Sequence, residues 1–93
     1  MTGSITYGNN IPVPKNAFVA FIRTATNSRI GVMTISAAGQ YSLTLRSEYV
    51  FDWTDKIKLD YKADDGKVYE LKGDNFTLEY LYNNPDVVLT EAN

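Results

Sequence analysis

The sequence predicts an all-β fold, an antiparallel sandwich of about seven strands in a single domain spanning residues 1–93. Three observations predict it. Val, Ile, Thr, Tyr and Phe dominate the ordered-looking stretches, and apolar residues recur there with period two. Glycine, asparagine, aspartate and proline clusters punctuate these stretches at short spacing, as in a sandwich or barrel. No stretch shows the spacing of an amphipathic helix.

The first strand is placed near Thr2–Tyr7 and closed by the turn cluster Gly8-Asn9-Asn10. Ile11-Pro12-Val13-Pro14 follows; two prolines at alternate positions cannot donate to a ladder, so this is an extended edge or loop segment. Asn16–Arg23 (NAFVAFIR) is nearly continuously apolar, which suits burial between two layers. Thr24–Ser28 is polar and turns the chain. Arg29–Ile35 runs back, and Ala37-Ala38-Gly39 is a tight connection in which glycine supplies a positive φ without steric cost. The strand Gly39–Leu45 then sets Tyr41, Leu43 and Leu45 on a dry face and Gln40, Ser42 and Thr44 on a wet one.

The second half carries a hairpin, KIKLDYKADDGKVYELKG. A two-residue turn at Asp65-Gly66 would set Leu59 opposite Lys72 and Tyr61 opposite Glu70. A three-residue loop, Asp64-Asp65-Gly66, with glycine left-handed, sets Tyr61 opposite Tyr69 and Leu59 opposite Leu71. The second keeps the apolar face whole, at the modest cost of bringing Lys58 beside Lys72. Phe76–Tyr82 (FTLEYLY) alternates and reads as a further strand, broken by Asn83-Asn84-Pro85-Asp86. Val87–Thr90 is a short last strand or, with the rest of residues 83–93, an extended C-terminal arm.

Composition narrows function by exclusion. The chain has neither cysteine nor histidine, so stability must come from apolar burial, ladders or a partner rather than from disulfides. Nine basic against 11 acidic residues give a net charge of −2, with no basic block to track nucleic acid or an anionic membrane. No apolar run approaches the ~20 residues of a membrane span, and MTGSITYGNN has neither the basic nor the apolar region of a secretory signal. The expectation is a chain made in the cytosol, or a domain cut from a longer one. The commonest general acid–base residue and the commonest thiol nucleophile are both missing, and no activated-serine context exists, so no catalytic residue is assigned and the chain is read as a non-enzyme.

No metal and no cofactor is expected. Asp64-Asp65-Gly66 lacks the alternating ligand spacing of a calcium loop, and aspartate with glycine is what such a hairpin turn demands. Asp52 and Asp55 could join it only if the fold converged them.

Two aromatic segments are the candidate contact sites. Tyr49-Val50-Phe51-Asp52-Trp53 lies where a surface connection is expected, so its large apolar side chains need an explanation. Either they form a binding patch or sugar-stacking platform, or the segment folds over an open end and completes a thin core. Tyr80-Leu81-Tyr82 is the other: an edge strand that adds to a neighbour's sheet, or a strand capping its own. The residues assigned to contacts are Tyr49, Phe51, Trp53, Tyr80 and Tyr82.

Gly3-Ser4-Ile5, then Ile11–Pro14, Ala17-Phe18-Val19 and Gly39-Gln40-Tyr41-Ser42-Leu43 resemble, in order, the motifs of the carboxypeptidase regulatory-like, transthyretin-related β-sandwiches. The resemblance covers the first half of the chain, and the Lys56–Leu71 hairpin more loosely; Ser36 stands where that family often carries an acid. The layout is also similar to the N-terminal domains of phage tail fibres. The resemblance implies a prealbumin-like Greek key and a scaffold or adhesive role through protein partners, as a homo-oligomer or among virion neighbours. It places the chain in a virion, or in host cytoplasm before assembly. The rival expectation is a glycan-binding or adhesive domain of a larger secreted or surface protein, and a third is an accessory domain of an enzyme.

Overall fold

A computed structural model describes residues 1–50 and 52–92. The chain runs through β1 (Thr2–Tyr7), β2 (Ile11–Pro12), β3 (Val19–Arg23), β4 (Ser28–Arg29), β5 (Gly31–Ala37), β6 (Gln40–Leu45), β7 (Ile57–Lys62) and β8 (Val68–Leu71), then α1 (Leu78–Asn83) and β9 (Val87–Glu91). The all-β class holds. The ladder, however, runs β1-β6-β5-β3-β7-β8-β9 and returns to β1, closing a seven-strand barrel where two separate sheets were expected. All these pairings are antiparallel except β1 with β9. Closure depends on β5–β6 and β8–β9 pairing around what would otherwise be sheet edges, which removes unpaired backbone groups from those edges.

β1 is the hinge of this closure. Thr2, Gly3 and Ser4 pair with β6, while Ile5, Thr6 and Tyr7 pair with β9. Its two halves thus serve different neighbours. Gly3 is required by contact rather than by conformation: a Cβ there would lie 2.2 Å from the Pro85 carbonyl oxygen. Tyr41 crosses the same point, its hydroxyl donating to that oxygen at 2.6 Å. Burial, and secondarily the charge of Asp86, push the Tyr41 hydroxyl up to about 12.

Alternation places the core where the sequence indicated. Tyr41 and Leu43 are buried and Leu45 is half-buried, while Gln40 and Thr44 are exposed. Gly39 takes φ +77°, its N–H donating to the Val13 carbonyl and its own carbonyl accepting from Ile5. The hairpin has the three-residue loop, with Tyr61 opposite Tyr69, Leu59 opposite Leu71 and Gly66 at φ +84°. The Lys58–Lys72 proximity is relieved by Glu70, whose carboxylate lies 3.9 Å from one ammonium and 3.3 Å from the other.

Three expectations are corrected. Phe76–Tyr82 is not a strand: Thr77 is extended and its hydroxyl accepts from the Tyr80 N–H, the N-cap of a helix whose Leu78 and Leu81 are buried three residues apart. The absence of any amphipathic helix fails with it. The strand expected over Asn16–Arg23 starts only at Val19, because Asn16 takes φ +67° and the Ala17 N–H turns back to the Pro14 carbonyl. Phe18 consequently sits exposed on the outside of the barrel, not between layers.

Candidate functional site

The connection from β6 to β7 is ordered by its own polar groups. The Arg46 N–H donates to the Ile30 carbonyl at 2.8 Å, and the Tyr49 N–H to the Arg46 carbonyl at 3.1 Å. The Asp52 carboxylate accepts from the Thr54 N–H at 2.9 Å and from its hydroxyl at 2.8 Å, an aspartate turn that holds the carboxyl below its usual range. The Tyr49 hydroxyl donates to one oxygen of Asp55, and Arg23 Nη2 sits 3.0 Å from the other. Asp55 is buried. Desolvation first, and the bond to Asp55 second, push the Tyr49 hydroxyl up to about 12. With its fork turned to Asp55, Arg23 keeps a buried Nε that has no acceptor among the described residues. A donor so placed costs about 1–3 kcal/mol, so the cluster fastens the loop more than it stabilises the barrel.

This fastening sorts the predicted contact residues. Tyr49 is half-buried, packs against the core and is turned to Asp55. Phe51 lies outside the described residues. Trp53 is brought to Tyr82 of α1, ring centroids 5.0 Å apart and planes at 66°. Two backbone bonds lock loop to helix: the Leu78 N–H donates to the Asp55 carbonyl and the Glu79 N–H to that of Trp53, each at 3.0 Å. Tyr80 leaves the pair and packs edge-on against Phe76 at 6.1 Å. Since Tyr80-Leu81-Tyr82 is helical, it offers no strand to a neighbour's sheet.

Trp53 and Tyr82 wall a groove of about 460 Å³ whose other lining residues are Met1, Leu43, Thr44, Leu45 and Leu78. Trp53 is 37% exposed and Tyr82 61%. The lining has no charged side chain, its one charge being the Met1 ammonium that donates to the Leu43 carbonyl at 3.3 Å, and its aromatic walls are of the type that leads interface energetics. Sequence reasoning missed Leu78 because it assigned that residue to a strand; a Thr followed by apolar residues at i+1 and i+4 was the available signal. The part played by Leu43 and Leu45 at the barrel end had no local signal.

Nothing in the described residues supplies a second kind of site at the acidic turn. Asp65 is occupied as a turn residue, accepting from the Lys67 N–H at 2.8 Å and the Tyr69 hydroxyl at 3.2 Å. Asp52 and Asp55 lie with Thr54 and Arg23 instead, and no group of three or more metal-ligating side chains comes together among the described residues. Among them, too, no helix is long and apolar enough to cross a membrane. No protein-family model matches the chain, and no curated protein and no solved structure matches it either.

Proposed function

We propose that the chain is a non-enzymatic structural or attachment module of a phage virion, acting through symmetric protein–protein assembly at the Trp53–Tyr82 groove. The observation that carries this reading is the groove itself: two partly exposed aromatic rings over a lining without charged side chains, held rigidly by backbone bonds between loop and helix. Preorganised aromatic anchors lose little side-chain entropy on association. The transthyretin-related layout belongs to the same reading. The ladder divides into β6-β1-β9 and β5-β3-β7-β8, the grouping a two-layer Greek key would have, bridged by the β5–β6 and β8–β9 pairs.

The glycan-binding rival needs aromatic faces laid in one plane. The 66° angle between Trp53 and Tyr82, and the turning of Tyr49 toward Asp55, favour a partner side chain seated in the groove beside the two rings over a sugar ring laid on a platform. Sedimentation from micromolar to millimolar concentration tests the proposal. The expected result is a concentration-dependent rise in mass that Tyr82→Ser abolishes without loss of folded signal. A strict monomer throughout, with a Trp53 fluorescence change on adding sugars, would transfer the reading to the rival.

A further inference from the structure

Phe18 is the most exposed aromatic ring among the described residues, 64% accessible on the outside of the barrel one residue before β3. It is nevertheless held in place. The Arg29 guanidinium lies 4.9 Å from its ring centroid, a cation–π contact that leaves much of the ring to solvent. Beside Phe18 is a hollow of about 640 Å³ lined in part by Ala17, Ala20 and Val68. No residue lines both this hollow and the Trp53–Tyr82 groove, so the two are separate surfaces.

The two surfaces carry opposite uncommitted charge. Arg23, Lys56, Lys58, Lys67 and Lys72 stand in ion pairs. Of the other four cations, Lys15 and Lys62 line the hollow, Arg29 covers Phe18, and only Arg46 lies elsewhere, beside Glu48. Lys58 answers Asp60 and Glu70 in the hollow, which leaves Asp64 as the one unpaired acid against three cations. At the groove the sign reverses. Asp52 directly precedes Trp53, and Glu79 stands three residues before Tyr82 and so beside it on α1. Neither acid has an ion pair among the described residues, and the Met1 ammonium offsets only one of them.

We infer that the occupant of the Trp53–Tyr82 groove is Phe18 of a second copy of this chain, so that copies join head to tail. The inference rests on the assembly proposed at that groove and names what enters it. A phenyl ring brings no polar group into a lining without charged side chains, and it can meet the two groove rings edge to face. Aromatic and arginine anchors of this kind dominate interface energetics and tend to meet their like on the partner. Arg29, carried with Phe18, arrives at a rim that holds Asp52 and Glu79. A groove-to-groove approach would instead bring those acids together with their copies, a like-charge contact that opposes it. Because the two surfaces differ, the contact is heterologous: it closes into a ring where the rotation allows and otherwise runs on as a filament.

Sedimentation of Phe18→Ser, of Tyr82→Ser and of an equimolar mixture of the two tests this, at concentrations where the unchanged chain associates. Each variant keeps one of the two surfaces, so each alone should be monomeric with its folded signal intact. In the mixture the intact Phe18 of one variant meets the intact groove of the other, and the mass should double and rise no further. Arg29→Gln, which removes a rim charge and the contact that holds the ring, should weaken association about fivefold. A mixture that stays monomeric would overturn the assignment. So would Phe18→Ser or Arg29→Gln associating like the unchanged chain while Tyr82→Ser is monomeric, a result that leaves the groove standing as the contact. Association that persists in Tyr82→Ser, or a strict monomer of the unchanged chain, would remove the groove itself and this assignment with it.

Discussion

The Asp55 carboxylate is shared between the hydroxyl of Tyr49, six residues before it, and the Arg23 guanidinium 3.0 Å away on β3. This one buried acid ties the β6–β7 loop to the barrel wall, and its backbone carbonyl also receives the first turn of α1. Removing it leaves a cation one-third exposed and unpaired. Asp55→Ala should therefore destabilise by about 2–3 kcal/mol, below the 3–5 typical of a fully buried pair because Arg23 reaches solvent. Tyr49→Phe deletes a single hydrogen bond and should cost about 1 kcal/mol. Urea unfolding of the two variants checks the order; equal losses would mean that Arg23 contributes nothing through the acid.

Two glycines should fail on substitution for different reasons. At Gly3 an added methyl meets the Pro85 carbonyl oxygen and the Tyr41 ring, so β1 must shift away from the chain that leads into β9. Gly3→Ala should cost about 3 kcal/mol, the upper part of the overpacking range. At Gly66 nothing lies within 4 Å, but φ is +84°. Gly66→Ala should cost only about 1–2 kcal/mol, the strain of a left-handed residue with a side chain. Thermal unfolding separates the two. A Gly66 variant as damaging as the Gly3 variant would contradict the open surroundings of the hairpin loop.

Alkaline pH should unfold the protein through its tyrosines. Tyr41, pushed up to about 12 chiefly by burial, holds its proton more tightly in the folded state than in the unfolded one. Its contribution is complete below the unfolded value near 10 and is lost as pH rises through the folded value. Tyr49, Tyr61 and Tyr69 are shifted in the same direction. Unfolding free energy should accordingly fall between about pH 10 and pH 12. Tyr41→Phe, less stable at neutral pH for want of the bond to Pro85, should fall less steeply over that window. A parallel decline in both proteins would remove Tyr41 as a cause.

How much of this was legible in the sequence depended on whether a residue's fate was decided locally. The register of the Ile57–Leu71 hairpin was legible because a one-residue slip would have put Lys72 against Leu59, a penalty visible without coordinates. The inward set of Tyr41 and Leu43 was legible for the same reason. Barrel closure was not, because inward and outward residues alternate identically whether β5–β6 and β8–β9 turn a corner or end a sheet. Of the contact residues, Trp53 and Tyr82 met across elements distant in sequence. Tyr49 departed from the set because its hydroxyl found Asp55, a partnership no alternation encodes.

The segment Phe76–Tyr82 offers the most direct check on the fold, since strand and helix expose different residues. With period two, Phe76, Leu78, Tyr80 and Tyr82 share the inner face and Leu81 faces water. In the helix capped by Thr77, Leu81 is fully buried while Tyr80 is about half exposed. Leu81→Ala should then cost about 2–4 kcal/mol by leaving a cavity under α1. Tyr80→Ala, losing mainly an exposed edge contact with Phe76, should cost no more than about 1 kcal/mol. Equilibrium denaturation of the pair distinguishes the two, and a reversed order would return this segment to the sheet. The helix would then no longer carry Tyr82 to Trp53, and the groove between them would be lost.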